Sequence, residues 1–254
     1  QWGSFGGLTG ATATDIIQTS DGYINIGTYE GLVRFDGVAF STMRRNKDNG
    51  LTFASARVVM EESSGGLWIG SNDEGVQLLQ NAGNITFTTK NGLPNNSVRA
   101  IVEDREQNVW VGTAGGVVYI TKSRHLINPH FEAGTVSKGV ISTKLMCDND
   151  GNVWLTTEND KGLFIFRDGL FRTIPAMDKF GDYAVTEVFQ DKDGTLWVGT
   201  DSVGLVRIKN GNAQKVETGT ILDSTPVASI FQNTDGAIWF GTQFALPICL
   251  VLWS

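Results

Sequence analysis

A four-residue motif recurs along this 254-residue chain at a nearly constant interval, and the interval fixes most of what the chain can become. LWIG ends at Gly70, VWVG at Gly112, VWLT at Thr156, LWVG at Gly199 and IWFG at Gly241, with a weaker copy, INIG, ending at Gly27. Successive anchors are 43, 42, 44, 43 and 42 residues apart. Two residues before five of them stands a Trp: Trp68, Trp110, Trp154, Trp197 and Trp239. Asn25 takes that slot in the first copy. A period of this length marks one supersecondary unit per repeat, each burying its apolar face against a neighbour.

Other columns keep the same register. Five residues before an anchor stands Gly22, Gly65, Gly151, Gly194 or Gly236, usually after Asp, while the third copy has Glu106 and Gln107 there. Asp bonding to local backbone and Gly supplying positive φ make this a hairpin turn. Upstream lie apolar pairs, Ile16-Ile17, Val59-Met60, Ile101-Val102, Leu145-Met146, Val188-Phe189 and Ile230-Phe231, as expected of strands buried on both faces. A Gly-Leu or Gly-Val pair after the anchor opens a third strand, and Asp36-Gly37, Asp168-Gly169 and Asn210-Gly211 mark a last turn. Composition agrees: 31 Gly, 14 Phe and 7 Trp against 5 Pro suit short strands and tight turns.

Four antiparallel strands per unit, six units of about 43 residues and a Trp wedged between neighbours predict an all-β fold, a β-propeller of four-stranded antiparallel blades spanning 1–254 as one domain. The five Trp are assigned to the blade core. Trp2 to Leu8 aligns with Phe87 to Leu93, so the chain is expected to open in an outer strand that completes the last blade and closes the ring. After Thr242 the sequence QFALPICLVLWS departs from the pattern, and its run of about ten apolar residues is too short to span a bilayer, which takes about 20. No basic and apolar leader opens the chain, so any export signal is expected outside these residues.

Asp21 to Gly37 (DGYINIGTYEGLVRFDG), Asp193 to Arg207 (DGTLWVGTDSVGLVR) and Asn91 to Val98 (NGLPNNSV) resemble the two-component-regulator propeller repeat of bacterial sensor proteins. The resemblance implies a non-catalytic sensory module on the periplasmic side of a membrane-anchored protein. It would pass a signal to a histidine kinase, a diguanylate cyclase or another output domain of the same polypeptide or of a dimer mate. It also implies a module often of seven blades, where six are visible here. The rival reading is a propeller enzyme acting on glycans, a hydrolase or lyase.

Net charge −7 and a pI near 4.9 argue against nucleic acid as a partner. Two Cys and two His are too few for a zinc ribbon or a disulfide framework, and no cofactor is implied. DNDG at Asp148 and DKDG at Asp191 lack the bidentate Glu of a calcium loop and are explained by turn chemistry. His125 and His130 have no third ligand nearby, so no metal site is expected. No nucleophile, base and orienting acid recur together. The residues expected to bind a polar ligand such as an oligosaccharide, or a partner domain, are loop residues free of packing duty: Tyr29, Glu30, Arg44, Arg45, Glu74, Glu158 and Asp201. The plain alternative for each is solvated loop polarity.

Overall fold

Each repeat folds as an antiparallel meander, because each carries turn signals that reverse the chain at fixed intervals. The computed structural model describes residues 12–43, 45, 50–133, 140–158, 162–181, 183–217, 219, 223, 225–242 and 248–250. The first sheet holds β1 (Ala13–Gln18), β2 (Ile24–Thr28), β3 (Gly31–Phe35) and β4 (Phe40–Met43). The second holds β5 (Val58–Glu61), β6 (Leu67–Gly70), β7 (Val76–Leu79) and β8 (Ile85–Phe87), and the third β9 (Val98–Glu103), β10 (Val109–Thr113), β11 (Gly116–Ile120) and β12 (Leu126–Ile127). In the fourth, β13 (His130–Phe131) runs parallel to β17 (Leu170–Thr173), outside β14 (Ser142–Cys147), β15 (Val153–Thr157) and β16 (Leu163–Arg167). The fifth is β18 (Val185–Gln190), β19 (Leu196–Thr200), β20 (Leu205–Lys209) and β21 (Asn212–Lys215), and the sixth β22 (Val227–Gln232), β23 (Ile238–Thr242) and β24 (Ile248–Leu250). The chain groups into two compact units, Gln1–Asn128 and Pro129–Ser254, of three sheets each.

The repeat columns take the roles their chemistry dictates. The acidic turn joins the first and second strands, and Gln107, the one residue there that is not Gly, adopts φ 63° at the position where Gly22, Gly65 and Gly151 lie between 85° and 87°. At Gly75 a side chain is excluded outright, since a Cβ would stand 2.2 Å from the carbonyl oxygen of Phe87. The anchor column has a different cause: a Cβ on Gly70 would meet Val98 at 2.5 Å, so glycine there lets the first strand of the next sheet approach.

Neighbouring sheets are also joined by a recurring hydrogen-bonded clasp. The turn after a first strand donates to a side chain ending the first strand of the following sheet. Ser20 gives its N–H and Oγ to Glu61, both at 2.7 Å, and Ser63 likewise to Glu103 at 2.6 and 2.8 Å. In the second unit the N–H of Asn149 donates to Gln190 at 2.6 Å and that of Lys192 to Gln232 at 2.9 Å.

Trp68, Trp110, Trp154 and Trp197 are buried, and Trp68 packs with Val98, Ile101, Val109 and Val111 of the next sheet. Trp197 does the same with Ile230, Ile238 and Phe240. Trp239 departs from its assignment to the core, being 40 % exposed. Phe231, paired with it on the neighbouring strand, is 62 % exposed, and Asn233 stands where the others have an acid. Ile16, on the opposite face of β1, is likewise 58 % exposed, whereas Val59, Ile101, Leu145, Val188 and Ile230 of the same column are buried. The strand proposed to close the ring lies in residues 1–11, outside the described residues. The atypical tail supplies β24, paired antiparallel with β23 as a third strand, and Pro247 lies outside the described residues.

Candidate ligand-binding site

The acids that looked like turn residues have a second role that sequence reading missed. Six residues before each buried Trp stands a carboxylate that accepts the indole N–H at 2.8 Å: Glu62 for Trp68, Asp104 for Trp110, Asp148 for Trp154 and Asp191 for Trp197. In the three Asp copies the other oxygen takes two backbone N–H groups of the turn, as Asp191 does from Asp193 and Thr195. The carboxylates of the suspected calcium loops, Asp148 and Asp191, are thus occupied by the turn and the indole. The column was visible as Thr19, Glu62, Asp104, Asp148, Asp191 and Asn233 at a fixed offset.

Glu62 carries an additional partner. Arg124, from the turn between β11 and β12, donates to both of its oxygens at 2.8 and 2.6 Å and lies 5.5 Å from the ring of Trp68. Burial pushes the carboxyl up, but hydrogen bonds from Arg124, Ser64 and Trp68 and the charge of Arg124 outweigh it and hold the pKa at about 2. Glu187, on β18, shows the opposite balance. Burial raises it above the ordinary carboxylate value, and Lys144 of β14, with Nζ 2.9 Å away, offsets this only in part. Because its pKa is raised in the folded state, ionising it costs stability as pH rises above 4.5. Glu187→Gln is therefore expected to hold a melting temperature at neutral pH equal to or above that of the wild type, and to flatten the decline between acid and neutral pH in thermal melts. A large loss at neutral pH would show instead that the ion pair is net stabilising.

Of the seven loop residues predicted to bind a ligand or partner, six lie among the described residues, four in the first unit and two in the second. Arg44 lies outside the described residues. Arg45 and Glu74 come together as an ion pair at 3.0 Å, and Glu74 also accepts the N–H of Ala54 at 2.6 Å. Tyr29 is exposed in the turn between β2 and β3, with Glu30 beside it. In the second unit Asp201 accepts from the N–H of Ala184 at 2.9 Å, and the N–H of Glu158 donates to the carbonyl of Ile141 at 3.1 Å. Open cavities are found near the acidic turns. Cavities of about 550, 770 and 380 Å³ open there between sheets one and two, four and five, and five and six, and none of the seven lines them.

Serial four-stranded antiparallel sheets with a Trp between neighbours are blades of a β-propeller. Residues 92–115 and 179–202 match the two component regulator propeller family, so the chain carries that family's repeat. Among curated protein sequences none matches this chain. Several solved structures share its fold. The extracellular domain of the putative hybrid two component system BT4673 from B. thetaiotaomicron is 23% identical, with a TM-score of 0.64 over 93% of this chain and 38% of that one. Virginiamycin B lyase from Staphylococcus aureus with quinupristin is 15% identical, with a TM-score of 0.71 over 92% and 79%. PorZ, a surface component of the type-IX secretion system of Porphyromonas gingivalis, is 16% identical, with a TM-score of 0.71 over 94% and 39%. The chain thus spans little more than a third of the extracellular domain it resembles. Among the described residues no helix is long and apolar enough to cross a membrane.

Proposed function

We propose that this chain is a non-catalytic sensory propeller of a bacterial signal-transduction protein, working outside the cytoplasm and passing its signal to an output domain. The observation that carries the reading is the two-component-regulator repeat, found twice by family match, in a fold shared with the extracellular domain of a hybrid two component system. The acids of the repeat add support, since in four repeats they are spent on an indole N–H and on turn N–H groups or, for Glu62, on Ser64 and Arg124, rather than held ready for proton transfer. The loop ends carrying Tyr29, Glu30, Arg45 and Glu74 are charged and Tyr29 is exposed, which suits contact with the output domain of the same polypeptide or of a dimer mate.

The test is calorimetric titration of the chain with its cognate output domain. Tyr29→Ala with Arg45→Ala is expected to weaken binding about 10-fold while leaving the melting temperature within about two degrees, because exposed substitutions usually cost under about 0.5 kcal/mol. Unchanged affinity in that variant would remove the loop end from the reading. The likeness to virginiamycin B lyase keeps a lyase or hydrolase as the competing function. Turnover of a glycan or of quinupristin, abolished by changing a single carboxylate, would establish the competitor.

A further inference from the structure

An arginine occupies the same repeat position in the first and fifth sheets, and only in the fifth is its Nε paired. Arg34 of β3 lies between Asn25 of β2 and Ser41 of β4, and Arg207 of β20 lies between Trp197 of β19 and Gln214 of β21, each directly opposite its two neighbours. In the fifth sheet the side-chain carbonyl of Gln214 accepts from Nε of Arg207 at 3.3 Å and from its Nη2 at 2.9 Å. Ser41 is too short for that task, and its hydroxyl donates to the backbone carbonyl of Arg34 at 3.4 Å. Nε of Arg34 is buried and has no hydrogen-bond partner among the described residues. The guanidinium is held where it is, because Nη2 is fixed by Asp21 and the group lies 3.5 Å over the ring of Tyr23. A buried donor without a partner keeps the whole cost of its desolvation, and native structures rarely leave one so.

The position of Gln214 shows where such an acceptor stands. Arg207 and Gln214 both line the cavity of about 380 Å³ between sheets five and six, so the amide belongs to the wall of that groove. Arg34 lines the cavity of about 550 Å³ between sheets one and two, where the lining does not include Ser41 and where Asn25 replaces the bulkier Trp. That volume is inside the roughly 300–1,000 Å³ range of small-molecule sites. The first groove therefore keeps the donor of the fifth sheet, lacks its acceptor and has more room. The group that fits is a neutral one. Asp21 already balances the charge of Arg34, and Glu61, held by Ser20, is a second acid in the same wall, so a carboxylate would face two like charges against one arginine. A carboxamide offers a carbonyl without charge, its amino group suits the acids, and Leu67 and Leu79 supply apolar surface for attached methylenes.

We propose that the groove between the first two sheets binds the side-chain carboxamide of glutamine, its carbonyl accepting from Nε of Arg34 as that of Gln214 does from Arg207. This goes beyond the sensory reading and is independent of any output domain, because it stands on binding to this chain alone. Free L-glutamine and a blocked Ala-Gln-Ala peptide would be titrated calorimetrically into the wild type, Ser41→Gln and Arg34→Lys, with L-glutamate and blocked Ala-Leu-Ala as controls. Saturable binding of at least one carboxamide probe is expected, and which of the two binds separates a free amino acid from a peptide side chain as the source. Ser41→Gln supplies the acceptor from within, so it should weaken that binding more than about 10-fold at a melting temperature equal to or above that of the wild type. Arg34→Lys keeps the charge but loses the fixed Nε–H, and should weaken it about 3-fold or more. Ser41 is exposed, so its replacement reports on the groove even if the Lys variant fails to fold. Failure of both carboxamide probes to bind, equal or tighter binding of either control, or unchanged affinity in Ser41→Gln would overturn the proposal.

Discussion

Arg124→Ala is expected to destabilise the chain by about 3–5 kcal/mol at neutral pH, the range for removing one partner of a buried ion pair. The size follows from what remains. Glu62 would keep the N–H of Trp68 and the hydroxyl of Ser64 but lose two charge-assisted bonds while staying buried. The pH dependence should change with it. In the wild type the folded pKa of Glu62, about 2, lies below its ordinary 4.5, so its contribution is complete above pH 4.5 and disappears as pH falls toward 2. Without Arg124 burial prevails, the carboxyl rises, and that acid-side loss should vanish. Denaturant titrations of both proteins across this pH range measure the effect. Parallel curves would mean that Arg124 does not set the ionisation of Glu62.

Trp68→Ala is expected to cost about 3–5 kcal/mol, the range for removing a large aromatic side chain from a packed core. Trp68 is fully buried against the third sheet, stacks 6.2 Å from Phe87 and satisfies Glu62. Trp239→Ala is the matched control. It has the same residue type and the same place in the repeat, but it is 40 % exposed, so its loss should be less than half as large. Equilibrium unfolding in urea separates the two, and equal costs would show that the repeat position, not the neighbouring sheet, determines the burial.

These two Trp also show where sequence reading succeeds and stops. The motif spacing placed the second strand of every sheet, and the Asp-Gly and Gly-Leu pairs placed the turns, because hairpin geometry is a local property of two or three residues. Trp239 was misplaced because burial is not local: the motif sets the strand, while whatever covers its face comes from residues distant in sequence. The indole acceptors were missed for a different reason. Asp148 and Asp191 already had a sufficient explanation in the turn, and Glu62 in the second copy and Thr19 in the first disguised the column. Loop residues were chosen for being free of packing duty, which finds exposed charge such as Arg45 and Glu74 but not enclosure. The cavity between the first two sheets, lined in part by Asn25, was passed over by a reading that looked for reactive residues.

The clasp between sheets bears on how such a chain changes over generations. The second and fifth repeats each bring an acceptor at the end of the first strand, Glu61 and Gln190, and a donor in the turn just beyond it, Ser63 and Lys192. A duplicated stretch of about 43 residues, a length set by the motif spacing, therefore arrives with both halves of the joint already built. Duplicating either of these two repeats in place leaves every donor of its seams facing an acceptor, so the chain can lengthen there while the chemistry of the seams is inherited unchanged. A duplication out of phase with the repeat would separate a donor from its acceptor at both borders.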